Sequence, residues 1–224
     1  MRLKDVKDFF FENIKEFNDT YGFVSKKTAF KLVKKTDYGS IEIDFTYNTF
    51  YDEIELDPCL SIYHNKVDAI ASLCNSWKIP AVAMYILKLK VAKEKGERHI
   101  QKAAEERELY FHIMEDTYQD DILKAIDELT YIYERYGKYE VDRFASLEEV
   151  YSVFTHKPIK YSYYHTAWEF QAIVGLITAK LLNKKDYDKL VTIYYKQYKK
   201  HFAFTLEALE SFECLIEKLS EIEH

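Results

Sequence analysis

The stretch FKLVKKTDYGSIEIDFTYNTFYDEIELDPCLSIY, residues 30–63, alternates apolar and polar side chains with a period of two. Successive side chains of a strand point to opposite faces, so this pattern predicts strands with one apolar face. The segment Thr36–Gly39 predicts a short hairpin loop between the first two strands. We expect about three antiparallel strands, with Asp57-Pro58 breaking the ladder or forming a bulge in the third because proline donates no backbone hydrogen bond.

Apolar residues before this stretch recur every three or four positions from Leu3 to Tyr21. This period predicts an amphipathic helix, which Gly22 ends because glycine adopts the left-handed conformation cheaply. The apolar face of the sheet needs a cover, and this helix is the nearest candidate. We expect the opposite face of the sheet to be exposed to solvent.

After the sheet the helical period dominates. Residues 79–95 and 109–114 suit either a helix or a strand, and we favour helix for both. Helix starts are predicted at Thr117, Ser146 and Thr166, each three residues before a carboxylate, because that spacing allows reciprocal capping. The last 60 residues predict three antiparallel helices, about Thr166–Leu182, Tyr187–His201 and Phe204–Ile222.

These patterns predict an α+β protein, with an N-terminal helix on a small antiparallel sheet of three to four strands, followed by a mostly helical C-terminal half. The 224 residues include only 5 Gly and 3 Pro, which favours long helices over a many-stranded sandwich. A soft boundary divides the chain into an α+β domain, 1–115, and a helical domain or subdomain, 116–224. One continuous domain is the alternative.

The formal net charge is −6, and it is unevenly distributed. Residues 1–112 carry 18 Lys and Arg against 18 Asp and Glu, whereas residues 113–224 carry 14 against 20. This balance argues against general binding to nucleic acid or to an anionic membrane, and it is compatible with a basic protein partner. The sequence contains no signal-peptide pattern and no apolar run long enough to span a bilayer, so we expect no membrane association.

The three cysteines, Cys59, Cys74 and Cys214, lie far apart, and no two have redox or metal-ligand spacing. We interpret them as free, small buried residues in a reducing compartment, which predicts a cytoplasmic protein. The sequence lacks a Gly-x-Ser-x-Gly elbow, a Walker-type loop and a dinucleotide-binding glycine motif. It therefore predicts no catalytic residue and no cofactor, and favours a non-enzymatic protein.

The best candidate for partner binding is an aromatic group that precedes a predicted helix. The start of a helix would explain the presence of Trp168 but not the presence of three tyrosines within four positions. Exposed Tyr and Trp are common anchors of protein interfaces. The predicted partner-binding residues are Tyr161, Tyr163, Tyr164 and Trp168.

Two alternatives remain open. The first is a metal-dependent enzyme, because hard cations bind several carboxylates; the same carboxylates would also suit a helix start. Its residues would be His112, Glu115, Asp116, Asp120 and Asp121. The second is single-stranded nucleic-acid binding through Tyr194–His201, where aromatic rings alternate with lysines. On a helix, the same segment would form an apolar stripe facing the core and a solvated basic flank.

The motif Tyr21-Gly22-Phe23, followed by Lys26-Lys27, Phe30 and alternating strands, resembles the opening of an uncharacterised bacterial α+β domain family. The resemblance covers residues 6–64 and implies a helix that ends in Gly-Phe and a curved sheet. It transfers no activity and no functional residue. Some small domains of this kind resemble immunity or antitoxin proteins, so we expect a protein-binding module whose partner is another protein.

Overall fold

A computed structural model of the chain describes residues 2–74, 78–158, 160, 162–165, 167–201 and 206–222. The predicted α+β class is confirmed, because an antiparallel sheet is followed by a helical C-terminal half. Within the described ranges, no helix combines the length and the apolar character that crossing a bilayer requires.

The strands and helices follow one another along the chain with short connections. The strands are β1 (Val24–Lys26), β2 (Lys31–Lys35), β3 (Gly39–Thr49), β4 (Glu53–His64), β5 (Val82–Tyr85) and β6 (Phe111–Met114). The helices are α1 (Leu3–Asn13), α2 (Lys15–Tyr21), α3 (Asn65–Ala71), α4 (Ile86–Glu94), α5 (Ile100–Glu105), α6 (Tyr118–Ile132), α7 (Lys138–Arg143), α8 (Leu147–Thr155), α9 (Trp168–Leu181), α10 (Tyr187–His201) and α11 (Leu206–Ser220).

The sheet is larger than the three to four strands predicted. Its neighbours run in the order β1-β2-β3-β4-β5, and β6 pairs with β4 in addition. The strands β5 and β6 come from the two stretches for which the sequence favoured helix, so that prediction was wrong at residues 82–85 and 111–114. Each is four residues long, too short for its hydrophobic period to separate a strand from a helix.

The strand β4 itself runs through Asp57 and Pro58. The strand β6 pairs with residues 53–56 of β4, so this ladder stops before the proline. A proline is tolerated in a strand at a position from which no ladder hydrogen bond is donated.

The chain folds as two compact units, each built from two segments. Unit 1 comprises Met1–Ser61 and Met84–Val141, and unit 2 comprises Ile62–Ala83 and Asp142–His224. This division differs from the predicted single boundary near residue 115. The chain leaves unit 1 near the end of β4 and returns at β5, and no change in composition marks either crossing.

In unit 1, α1 covers the apolar face of the sheet, as predicted. The ring centroid of Phe10 lies 5.7 Å from that of Phe30 and 4.7 Å from that of Phe45. Aromatic pairs at such distances add to the stabilisation gained from burial. Gly22 ends α2 in the left-handed conformation (φ 75°), which confirms the predicted stop.

Unit 2 is organised around α9, whose residues from Gln171 to Ala179 are all buried. Helices α3, α8, α10 and α11 contact it. A helix buried on every side shows no polar stripe, because no face of it meets water. The three predicted C-terminal helices correspond to α9, α10 and α11, with ends shifted by a few residues.

The predicted capping boxes at Thr117 and Ser146 did not form. Neither Thr117 nor Ser146 makes a side-chain hydrogen bond to the start of its helix, although α6 and α8 begin directly after them. The Thr117 hydroxyl instead donates to Asp121 Oδ2 at 2.6 Å. The third predicted cap, at Thr166, lies outside the described residues.

Two of the three cysteines form a disulfide, which corrects the prediction of free thiols. Cys74, which follows α3, is bonded to Cys214 of α11, with their Cα atoms 5.9 Å apart. The two residues are separated by 140 positions, so their spacing gave no signal of pairing. Cys59 remains free and buried, as predicted. A reducing compartment can therefore no longer be argued from the cysteines, and a cytoplasmic location stays a prediction without that support.

Candidate functional site

The turn between β3 and β4 holds large apolar side chains in solvent. Tyr51 is 99% exposed, Phe50 54% and Tyr47 43%. Met114 of β6, which is 39% exposed, pairs in register with Glu53 at the start of β4 and so lies beside this turn. We call Phe50, Tyr51 and Met114 the hairpin tip; the ring of Tyr47 lies instead against Phe30 and the Lys7 ammonium. Exposed apolar groups clustered in this way are typical of a binding surface.

Backbone hydrogen bonds hold the hairpin tip in place. The N–H of Phe50 donates to the carbonyl of Glu53 at 2.8 Å and closes the turn. The N–H of Glu115 donates to the carbonyl of Asp52 at 2.8 Å, which ties the turn to the end of β6. The exposed rings therefore sit on a backbone anchored to two strands, and ordering them on binding costs little entropy.

An ionic cluster lies next to the hairpin tip on the same sheet. Arg107 Nη2 lies 2.9 Å from Glu53 Oε2 and 2.5 Å from Glu55 Oε1, so one guanidinium binds two carboxylates. The side chain of Glu55 is only 6% exposed, and such a buried carboxylate needs a cation close by. The guanidinium also lies 5.7 Å from the ring of Phe50. Arg107 thus connects the cluster to the hairpin tip.

His112 completes this cluster. Its Nδ1 lies 2.5 Å from Glu53 Oε1, and its Nε2 lies 2.8 Å from the carbonyl oxygen of Arg107. Both neighbours are hydrogen-bond acceptors, so the imidazolium form, with a proton on each nitrogen, satisfies both contacts. The hydrogen bonds from Arg107 and then from His112 hold the pKa of Glu53 below its ordinary value.

Ligand atoms of Glu53, Glu55 and His112 lie within 4.8 Å of one another, which is close enough for a shared metal ion. The Arg107 guanidinium already supplies both carboxylates with the positive charge that a metal would bring. The donor set is therefore satisfied internally, and a metal would have to displace Arg107. We interpret the four side chains as a structural cluster that fixes β6 and the hairpin tip.

The face of the sheet that was predicted to be exposed to solvent is partly buried around Asp57. Burial raises the pKa of Asp57 to about 7, and its Oδ1 atom is buried without a hydrogen-bond partner among the described residues. Burial also raises the pKa of the free Cys59 thiol, to about 12, so the thiol is inert at neutral pH. Lys88 of α4 is the cation that opposes the shift at Asp57.

The aromatic residues predicted to bind a partner contribute to the packing of unit 2. Tyr164 is buried, with its ring 5.0 Å from that of Phe144. The Trp168 indole N–H donates to the carbonyl of Pro158 at 3.2 Å, and the ring packs near Tyr198. Tyr163 is half-buried and donates to the Tyr164 hydroxyl at 2.9 Å. Tyr161 lies outside the described residues.

The acidic residues of the predicted metal site have separate surroundings. Asp121 accepts from Thr117 and from the Met114 backbone, and these contacts keep its pKa low against the opposing effect of burial. The others, Glu115, Asp116 and Asp120, are exposed on the turn before α6 or on its first turn. Of the predicted set, the structure brings His112 into a possible ligand group, and its partners there are Glu53 and Glu55 instead.

In the segment Tyr194–His201, the structure agrees with the stripe alternative for two rings. Tyr194 and Tyr198 are buried, and their hydroxyls donate to the backbone carbonyls of Phe154 and Glu169. Lysines 196, 199 and 200 are exposed. These two rings are not accessible for stacking on bases, and nucleic-acid binding through this segment stays an untested alternative.

Sequence reasoning missed the hairpin tip. The sequence patterns predicted no binding role for Tyr47, Phe50 or Tyr51. Three aromatics in five positions around a predicted strand end were the available signal. The pairing of Glu53 with Arg107, which are 54 positions apart, left no such signal.

No family model, no curated protein and no solved structure matches this chain. The resemblance of residues 6–64 to a bacterial α+β domain family therefore stays a prediction.

Proposed function

We propose that this chain is a non-enzymatic protein-binding module that recognises a basic partner protein through the hairpin tip. The observation that carries the proposal is the full exposure of Tyr51 beside Phe50, on a backbone fixed by hydrogen bonds. Aromatic rings of this kind dominate the energetics of many protein interfaces, because they bury large area at low entropic cost.

The charge of unit 1 supports a basic partner. Its two segments contain 25 Asp and Glu against 19 Lys and Arg, which accounts for the whole net charge of −6. Unit 2 contains 13 of each sign. Asp52, Glu115 and Asp116 are exposed next to the hairpin tip, so the local charge has the same sign as that of the unit. Such a surface speeds encounter with a cationic protein.

The proposal differs from the sequence-based one in its location. Tyr163, Tyr164 and Trp168 were expected to contact the partner, but their rings and polar atoms are engaged within unit 2. A role of the immunity or antitoxin type is one form that this proposal could take, since such proteins act by binding a single protein.

The test is site-specific photo-crosslinking in cells of the source organism. A benzophenone amino acid replaces Tyr51 in one variant and Tyr139 in the control, because Tyr139 is also a well exposed tyrosine of unit 1, at 63%. We expect one discrete, basic protein to be crosslinked from position 51 and not from position 139. Equal crosslinking from both positions, or none from position 51, contradicts the proposal.

Once the partner is identified, Tyr51→Ala should weaken binding at least tenfold, because central aromatic anchors commonly contribute more than about 1.4 kcal/mol to the binding free energy. Tyr139→Ala should change the affinity less than twofold. A Kd that is unchanged between 50 mM and 500 mM salt would contradict the electrostatic part of the proposal.

A further inference from the structure

A second feature of unit 1 has the opposite charge. A cavity of about 350 Å³ lies between α1 and the 3-10 turn Lys27–Ala29. Its lining is Leu3, Lys4, Lys7, Asp8, Phe11, Lys27 and Thr28. Three lysines thus border one cavity in a unit whose net charge is strongly negative. Like charges held close together repel one another, and Asp8 is the carboxylate among these three lysines in the lining.

The three lysines have no partner carboxylate. Within the described part of the chain, none of Lys4, Lys7 and Lys27 forms an ion pair, in contrast to Lys31, which binds Glu42 at 2.5 Å on the sheet. Asp5 is paired with Arg2 at 2.8 Å; the hydrogen bond from Arg2, and to a lesser extent the charge of Lys4, hold the pKa of Asp5 below its ordinary value. Asp8 is the carboxylate on the cavity wall.

The cavity also receives the start of α1. This helix has 11 residues, and its N-cap residue, Arg2, makes no side-chain hydrogen bond to its first turn. Leu3 and Lys4, the first two residues of the helix, line the cavity. Uncapped N–H groups and the positive end of the helix dipole both favour an anion.

Two of the lining residues are apolar: Phe11 is buried and Leu3 is half-buried. The Lys7 ammonium lies over the rings of Phe30 (4.8 Å to the centroid) and Tyr47 (4.9 Å), which are not among the lining residues. The aromatic contacts hold the Lys7 ammonium in a defined place beside an apolar wall. The volume is in the range of small-molecule sites, which combine an apolar lining with a few polar groups that fix orientation.

We infer that this cavity is a binding site for a small phosphate monoester with an apolar body. Lys4, Lys7 and Lys27 bind the phosphate oxygens, and the Thr28 hydroxyl can donate a further hydrogen bond. Three unpaired cations favour a dianion over a monoanionic carboxylate. The apolar body lies against Leu3 and Phe11. The lining of this site contains no residue of the hairpin tip, although the Lys7 ammonium also lies over the ring of Tyr47.

The test is binding of phenyl phosphate to the full-length protein, followed by NMR chemical shifts and by calorimetry. We expect the largest shifts at the backbone amides of Leu3, Lys4 and Thr28. Benzoate should bind at least tenfold more weakly than phenyl phosphate because it carries one charge. Inorganic phosphate should also bind more weakly, because it makes no contact with the apolar wall.

Variants locate the site. Lys27→Met should weaken phenyl phosphate about tenfold, because it removes one cation from an exposed turn without disturbing the core. The matched control, Lys15→Met, removes an exposed lysine of α2 and should leave the affinity unchanged. Asp8→Asn should strengthen binding several-fold, because it removes a repelling carboxylate. Equal effects of Lys27→Met and Lys15→Met, no gain from Asp8→Asn, or equal affinity for benzoate overturns the inference.

Discussion

Removal of the disulfide between Cys74 and Cys214 is expected to destabilise the protein strongly. The bond closes a loop of about 140 residues. In the chain-entropy model, closing a loop of that length lowers the entropy of the unfolded chain by about 17 cal/mol/K, which corresponds to about 5 kcal/mol at 25 °C. Native disulfides commonly contribute somewhat less, so we expect the double variant Cys74→Ala, Cys214→Ala to lose about 3–5 kcal/mol of unfolding free energy.

The assay is urea denaturation without reductant, followed by tryptophan fluorescence. Both tryptophans of the chain fall within the segments of unit 2, which also contains the disulfide. Reductant should destabilise the wild type by a similar amount and should not affect the double variant. The control is Cys59→Ala, which removes a free buried thiol of unit 1 and should cost about 1 kcal/mol.

Two results would refute this reasoning. Titration of three free thiols in the denatured, unreduced protein would show that the bond is absent. A loss below about 1 kcal/mol in the double variant, with the bond shown to be intact in the wild type, would show that loop closure contributes little here.

Three further variants each test one contact, two of them in unit 1 and one in unit 2. Because burial raises the pKa of Asp57 to about 7, the folded protein keeps this proton up to about pH 7, whereas the unfolded chain releases it near 3.8. The free energy of unfolding of the wild type should therefore fall as the pH rises between these values. At pH 8, Asp57→Asn should be more stable than the wild type by about 2 kcal/mol, a figure reduced to allow for the partial exposure of Asp57. Urea denaturation at pH 5 and pH 8 measures both effects. Arg107→Met leaves the buried Glu55 carboxylate without its cation and should lower the urea midpoint in the same assay; a midpoint equal to that of the wild type would contradict the structural interpretation of the cluster. A Cβ at Gly175 would lie 2.8 Å from the Tyr194 hydroxyl, so Gly175→Ala should lower the free energy of unfolding by about 2 kcal/mol. The loss should be smaller in a Tyr194→Phe background, which a double-mutant cycle followed by thermal unfolding measures. Purely additive losses would contradict the contact.

The sequence predicted those parts of the fold that depend on local spacing. The period of two between residues 30 and 63 identified β2, β3 and β4, and the period of three to four identified α1. The first helix was predicted to cover the apolar face of the sheet, and the rings of Phe10, Phe30 and Phe45 do pack together there. These predictions succeed because the side chains of a regular element repeat with the period of its own backbone.

Other features depended on the tertiary structure. The short strands β5 and β6 gain their hydrogen bonds from β4, which is distant in sequence, so their own four residues do not specify them. The Cys74–Cys214 bond and the Arg107 bridge to Glu53 and Glu55 likewise join positions that no spacing rule connects.

The amino-acid sequence by itself determined that this protein is α+β, where its longer elements lie and that its net charge is negative. The tertiary structure alone decided which aromatic residues are exposed and which carboxylates are paired. Tyr51 and Tyr194 are the same residue type, yet one is 99% exposed and the other is completely buried. The difference arises because exposure is set by what packs against a side chain, and those neighbours come from elsewhere in the chain.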